Sequence, residues 1–426
     1  MTSAFLIESI VGLALTVNAL FPLPWWTGLQ LASFFLSWLT MELAPQSMVI
    51  GAVLIGVFVG FGGLHGTEGW VALGLSLLTL ALVGSMVVQA QRVRGITERA
   101  LRESLGPDYL KKIGPSRKPE YDLRTPWRQL VLPFWMKHPD VERIKDVPYG
   151  PIRRRNLLDV YRPKDVPTGA PVLLQIHGGG WVISNKNQQG KPIMLHFASR
   201  GWVCFAPNYR LSPRSTWPDE IVDVKRAIAW IKDHAHEYGA DPSFIVITGG
   251  SAGGHLAALA AVTPNDPAFQ PGFEDADTRV QAAAPYYGVY DFADTSSVQS
   301  RLLIKFLERA VFKKRFRDHR EDFEAASPIR RVTADDPPFF VIHGHHDSLV
   351  PVKTARRFVQ KLREVAQDPV VYAELPGAQH AFDVFPSIRT AHVTRAVERF
   401  ADYVYSVAES NSGPSEDEPT PAAAEV

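Results

Sequence analysis

The stretch VITGGSAGGHLAALAA, Val246 to Ala261, sets Ser251 among glycines, after an apolar run and before an alanine-rich one. A serine hydroxyl attacks a carbonyl only when a base takes its proton and donors receive the oxyanion. G-x-S-x-G alone is also the pattern of a serine-capped helix in a glycine loop. Here SFIVITG reads as a strand and the alanine run as a helix, the context a nucleophile on a sharp turn requires. Glycine neighbours let the backbone fold tightly and a substrate carbonyl approach, and a helix starting at Ala252 directs its dipole toward the oxyanion. A second strand-to-glycine junction, LLQIHGGGW, ends in His177 to Trp181. It makes the backbone N–H groups of Gly178 and Gly179, with that of Ala252, the candidate oxyanion donors. The base should be a histidine oriented by a carboxylate, in the chain order serine, acid, histidine. FFVIHGHHDSLVP supplies Asp347 and VVYAELPGAQHAFD supplies His380. Asp291, in GVYDF, is the second candidate acid, while Asp383 is too close to His380 along the chain. Together these residues could transfer an acyl group through a covalent serine intermediate.

HGHHD also invites a zinc reading, because imidazoles beside a carboxylate suit that metal. One short loop lacks the further ligands such a site arranges around an open position, so neither metal nor cofactor is expected. His343 and His345 should pack or hydrogen-bond near the acid loop, His346 has no assignable role, and His255 should be structural. Cys204, the single cysteine, lies in the strand-like GWVCFAPNY, which excludes an intrachain disulfide.

The elements that must position these residues alternate between short apolar runs and helix-period segments beyond Gly150, the signature of an α/β domain with a largely parallel sheet. Expected strands are NLLDVYR, PVLLQIH, WVCFAPN, FIVITG, VQAAAPYYG, FFVIHG and VVYAELP. Expected helices begin near Pro192, Asp219, Ala252, Thr354 and Ser387. One of them carries Ile221, Val224, Ile228 and Ile231 on a single core-facing stripe and stops at Gly239. A charged helical insertion, 291–328, should cover one end of the sheet. The catalytic domain is thus assigned to 141–409. Residues 91–140 form a basic connector whose WRQLVLPFWMKHP run packs on the domain, forms part of a lid or rests on the membrane surface. Residues 410–426 have the composition of a disordered tail.

The chain has 426 residues and a formal net charge of +1, which argues against nucleic acid as a partner. From Met1 through Gln91 it contains no Lys or Arg. Four apolar stretches, Ala4–Leu23, Trp25–Leu43, Met48–Leu64 and Trp70–Ala90, predict a transmembrane domain, 1–90, of three or four helices. A cleaved signal peptide is excluded because no basic region precedes the apolar run, which continues far too long. Arg92, Arg94, Arg99 and Arg102 crowd the exit of the last stretch and place the catalytic domain on the cytoplasmic side.

HGGGW, NYRLSP, GGSAGGHLAA, HGHHDSLVP and GAQHAF resemble the alpha/beta-hydrolase esterases of the hormone-sensitive-lipase and arylformamidase-like type, over about Val141 to Val407. DVYRP and WVISNKNQQG are similar to the bacterial ferulic-esterase-like branch. The resemblance implies an alpha/beta-hydrolase fold, a Ser251, Asp347, His380 triad, and Gly178, Gly179 and Ala252 as oxyanion donors. It departs at Gly250, where lipase-like members carry an acidic residue, and at Asn208, a position often acidic. The expectation is a membrane-anchored serine carboxylesterase with a small or lipid-like ester substrate and membrane lipid as partners. Amide or formamide hydrolysis, acyl transfer to another acceptor, and an inactive membrane scaffold are the alternatives.

Overall fold

The computed structural model describes residues 1–23, 29–117 and 127–412. Its apolar N-terminal segment folds into α1 (Thr2–Leu20), α2 (Gln30–Glu42), α3 (Ala44–Gly60) and α4 (Gly66–Leu105). Helices α1 and α4 are each long and apolar enough to cross a membrane. Helices α2 and α3 bend by 83° and together make at most one more crossing. Among the described residues, length and apolarity allow two crossings, or three with the bent pair as one, so the lower of the expected three or four is the most that these helices supply. The reason is length: α2, with 13 residues, reaches about 20 Å against a hydrocarbon core of about 30 Å.

Helix α4 runs for 40 residues, about 60 Å, because no proline interrupts it before Gly106, whose φ of 97° ends it. The connector's RGITERALRESL segment is thus the last three turns of the same helix, whose Val93, Leu101 and Leu105 are buried against the catalytic domain. In the short α5 (Trp127–Val131), Leu130 is buried beside Ala90 and Ile388, whereas Trp135, a few residues on, stays exposed. Residues 413–426 of the expected tail lie outside the described residues.

Eight strands form one mixed sheet: β1 (Val141–Pro148), β2 (Leu157–Pro163), β3 (Ala170–Ile176), β4 (Val203–Pro207), β5 (Ala240–Gly250), β6 (Ala282–Tyr286), β7 (Phe339–Gly344) and β8 (Val370–Leu375). Their order is β1-β2-β4-β3-β5-β6-β7-β8. The six from β4 to β8 in that order are parallel, and β1 and β2 pair antiparallel at one edge. The seven expected strands are β2 to β8. Parallel strands covered on both faces read as continuous apolar runs, as the fully buried β3 does. Strand β1 is the addition: an edge strand carrying Glu142, Arg143, Lys145 and Asp146 lacks that signal.

The sheet is flanked by α6 (Lys191–Ser199), α7 (Asp219–His234), α8 (Ala252–Ala261), α11 (Lys353–Val365) and α12 (Ile388–Ser412), while α9 (Val298–Phe306) and α10 (Arg320–Ala325) fall in the insertion. Ile221, Val224, Ile228 and Ile231 of α7 are all fully buried. Register carries the site. Ile176 pairs with Gly249, so the two glycine-bearing strand ends lie side by side. Gly344 pairs with Leu375, so the loops bearing Asp347 and His380 also leave the sheet together.

Candidate active site

Ser251 joins β5 to α8 with φ 59° and ψ −121°, a backbone conformation that a residue with a side chain adopts only under external constraint. The constraint is visible: Ser251 N donates to Tyr286 O at 3.0 Å and Ser251 O accepts from His255 N at 2.9 Å. A Cβ at Gly250 would meet Tyr287 Oη at 2.5 Å. Any side chain at position 250 would therefore collide with Tyr287, which fills that space.

The HGGG loop lies against this turn, since a Cβ on Gly178 would approach Ser251 Cβ to 3.2 Å. The structure separates the three expected oxyanion donors. Gly178 N donates to Gln189 Oε1 at 2.5 Å. The N–H groups of Gly179, whose φ is 113°, and of Ala252, at the start of α8, have no acceptor among the described residues. His255 ties the two motifs together. Its Nδ1 accepts from Trp181 Nε1 at 3.2 Å, and its Nε2 donates to Ala326 O at 2.8 Å. Burial holds its pKa down at about 3, so it remains neutral.

Asp347, its side chain fully buried, accepts from His380 Nδ1 at 2.7 Å through Oδ2. Its Oδ1 accepts from the backbone N–H groups of Leu349, 2.9 Å, and Val350, 2.7 Å. His343 Nε2 stands 3.3 Å from Oδ2 and donates to Val350 O at 2.9 Å. Burial pushes the Asp347 carboxyl up, but the His380 charge and the hydrogen bonds from His343 and His380 outweigh it and hold it well below the usual carboxylate range. An ionised Asp347 fixes the proton of a neutral His380 on Nδ1 and leaves Nε2 free to accept. Ser251 Oγ has no hydrogen-bond partner among the described residues. Tyr287 bridges the halves of the site, its ring 4.5 Å from the His380 ring and its hydroxyl against Gly250. Hydrogen bonds between a catalytic serine and its base are often long in the free enzyme and tighten when substrate binds.

Two contributors carry no sequence signal. Gln379 Oε1 accepts from Ser348 N, 2.7 Å, and His380 N, 2.9 Å, clamping the acid loop to the histidine loop. Asp383 accepts from the Tyr287 hydroxyl. Asp291, the second candidate acid, instead pairs with Arg330 at 3.2 Å. The remaining histidines of HGHHD diverge: His345 binds Glu374 at 2.6 Å, and His346 is partly buried, which lowers its pKa. Cys204 is buried, which pushes its thiol pKa up.

A serine on a strained strand-to-helix turn, a histidine hydrogen-bonded to a buried aspartate, and a glycine loop facing the serine, all at one sheet edge, define a serine hydrolase of the alpha/beta-hydrolase fold. The BD-FAE family model matches residues 158–362. The chain is 51% identical over 320 residues to the probable carboxylic ester hydrolase LipM of Mycobacterium tuberculosis, covering 74% of each chain. It is 46% identical over 321 residues to that organism's esterase LipQ, covering 74% of this chain and 76% of LipQ. The chain belongs to this family of carboxylic ester hydrolases. Among solved structures, Thermogutta terrifontis esterase 2 phosphoramylated by tabun matches with a TM-score of 0.51 and 26% identity, over 64% of this chain and 96% of that one.

Burial raises Asp383 from its ordinary 3.8 to about 6, against the opposing Tyr287 hydrogen bond. Between those values the folded chain keeps a proton that the unfolded chain has released. Stability therefore falls as pH rises through that window, by on the order of 3 kcal/mol. Asp383→Asn, which retains an acceptor for Tyr287, should flatten the decline of melting temperature between about pH 4 and pH 7. An undiminished decline would contradict the assignment.

Proposed function

We propose that the chain is a membrane-anchored carboxylesterase whose acyl-enzyme forms on Ser251. The hydrogen bond of 2.7 Å between Asp347 and His380, on loops leaving paired strands beside the strained serine, carries the reading. His380 Nε2 takes the hydroxyl proton as Ser251 Oγ attacks the ester carbonyl, while Asp347 stabilises the imidazolium. Gly179 and Ala252 donate to the oxyanion, each contributing about 3–4 kcal/mol of transition-state stabilisation. Gly178, its N–H held by Gln189, shapes the loop. The alcohol leaves with the proton from His380, and water, activated by the same nitrogen, releases the acid.

The substrate is a small or lipid-like carboxylic ester. The names of the relatives, carboxylic ester hydrolase and esterase, support ester over amide chemistry. Ser251→Ala should reduce p-nitrophenyl ester hydrolysis to background and abolish fluorophosphonate labelling while leaving the melting temperature within a few degrees. Retained turnover would refute the nucleophile assignment.

Helices α1 and α4 support anchoring, and the arginines at positions 92, 94, 99 and 102 of α4 support a catalytic domain on the cytoplasmic face. In right-side-out vesicles the domain should resist added protease until the membrane is permeabilised. Digestion in sealed vesicles would place it outside.

A further inference from the structure

The His380 loop, between β8 and α12, has no regular secondary structure, so the sheet alone does not set the imidazole's direction. One side of the loop is held by Asp347 and Gln379. The other side is held by α2, a helix of the apolar N-terminal segment. Phe34 places its ring edge-on to His380, centroids 6.2 Å apart at 69°. Trp38 Nε1 donates to Ala381 O at 2.9 Å, fixing a peptide whose residue has φ 59°. Gln379 Nε2 donates to Ser37 Oγ at 3.0 Å. One turn further on, the Glu42 carboxylate accepts from Ser387 Oγ at 2.7 Å and from Arg389 Nη1 at 3.0 Å, all three side chains being buried.

These contacts occupy one face of α2, whose Phe34, Ser37, Met41 and Glu42 are buried. The stripe Leu31, Phe35 and Leu39 is open, at 64%, 52% and 36% exposure. Helix α2 thus has a catalytic-domain face and an apolar outer face. Its placement resembles neither an anchor remote from the chemistry nor a free linker: the indole and hydroxyl donors and acceptors reach the residues flanking the histidine.

We infer that α2 is a positioning element of the active site, with Ser37 and Trp38 holding the residues on either side of His380 so that Nε2 is presented to Ser251. The inference rests on the catalytic roles proposed for Ser251 and His380. Turnover then depends on the apolar segment being docked, because a displacement of about 1 Å in a catalytic group can lower a rate by about two orders of magnitude.

The test uses the full chain in detergent micelles or lipid nanodiscs with p-nitrophenyl butyrate, and counts active sites by endpoint fluorophosphonate labelling. Trp38→Phe keeps a ring against Phe385, 5.3 Å away in the native chain, and removes only the N–H donor. Ser37→Ala removes only a hydroxyl. The pair combined should lower kcat per labelled site about tenfold with KM within about twofold. Leu77→Ala, on the exposed outer surface of α4, should leave both unchanged. If the variants lose activity only through fewer labelled sites, with kcat per site equal to wild type, α2 is packing alone and the inference is overturned. Should the double variant not fold, Ser37→Ala alone is read by the same criterion. If Ser251→Ala still turns over in this assay, the nucleophile assignment fails instead, which separates the two outcomes.

Discussion

An ionised carboxylate without water is costly unless every lone pair finds a donor, and the Asp347 side chain is fully buried. Its donors are the two backbone N–H groups of its own loop and the His380 ring, with the His343 ring 3.3 Å away. Satisfying that charge dictates where the histidine loop sits and which tautomer His380 adopts. The parallel sheet makes the arrangement possible by ending β7 and β8 in register. Gln379 makes it rigid by accepting from both loops at once.

The serine half is governed by steric space instead of charge. Ser251 holds its unusual backbone because Tyr286 and His255 grip its peptide groups, and because Gly250 leaves room for Tyr287. Tyr287 then spans from the turn to the histidine and donates to Asp383. The apolar segment completes the enclosure. Helix α4 carries its own axis from the apolar region onto the sheet, and α2 covers the outer side of the histidine loop. Segments that differ sharply in composition thereby act as one structural unit.

Much of this was legible along the chain wherever the physical requirement is local. Glycines around Ser251 and after His177 announce tight turns, continuous apolar runs announce buried parallel strands, and the α7 stripe announces its core face. Requirements set by distant partners were not legible. Gly178 N–H is claimed by Gln189, and Gln379 reports nothing until Ser348 and Ser37 arrive from other elements. Strand β1 hid because a half-exposed edge tolerates charge. The 83° bend between α2 and α3 hid because apolar composition records solvent preference and not direction. Asp291 and Asp347 both follow strands, and only the fold pairs one with Arg330 and the other with His380.

The central claim, that Ser251 is the atom made nucleophilic by this arrangement, is tested most directly by peptide-resolved mass spectrometry of the full chain after inactivation by a phosphonate ester. A single adduct on Ser251, formed in proportion to lost activity, is the result expected. Inactivation with the adduct on another residue, or with Ser251 unmodified, would contradict it.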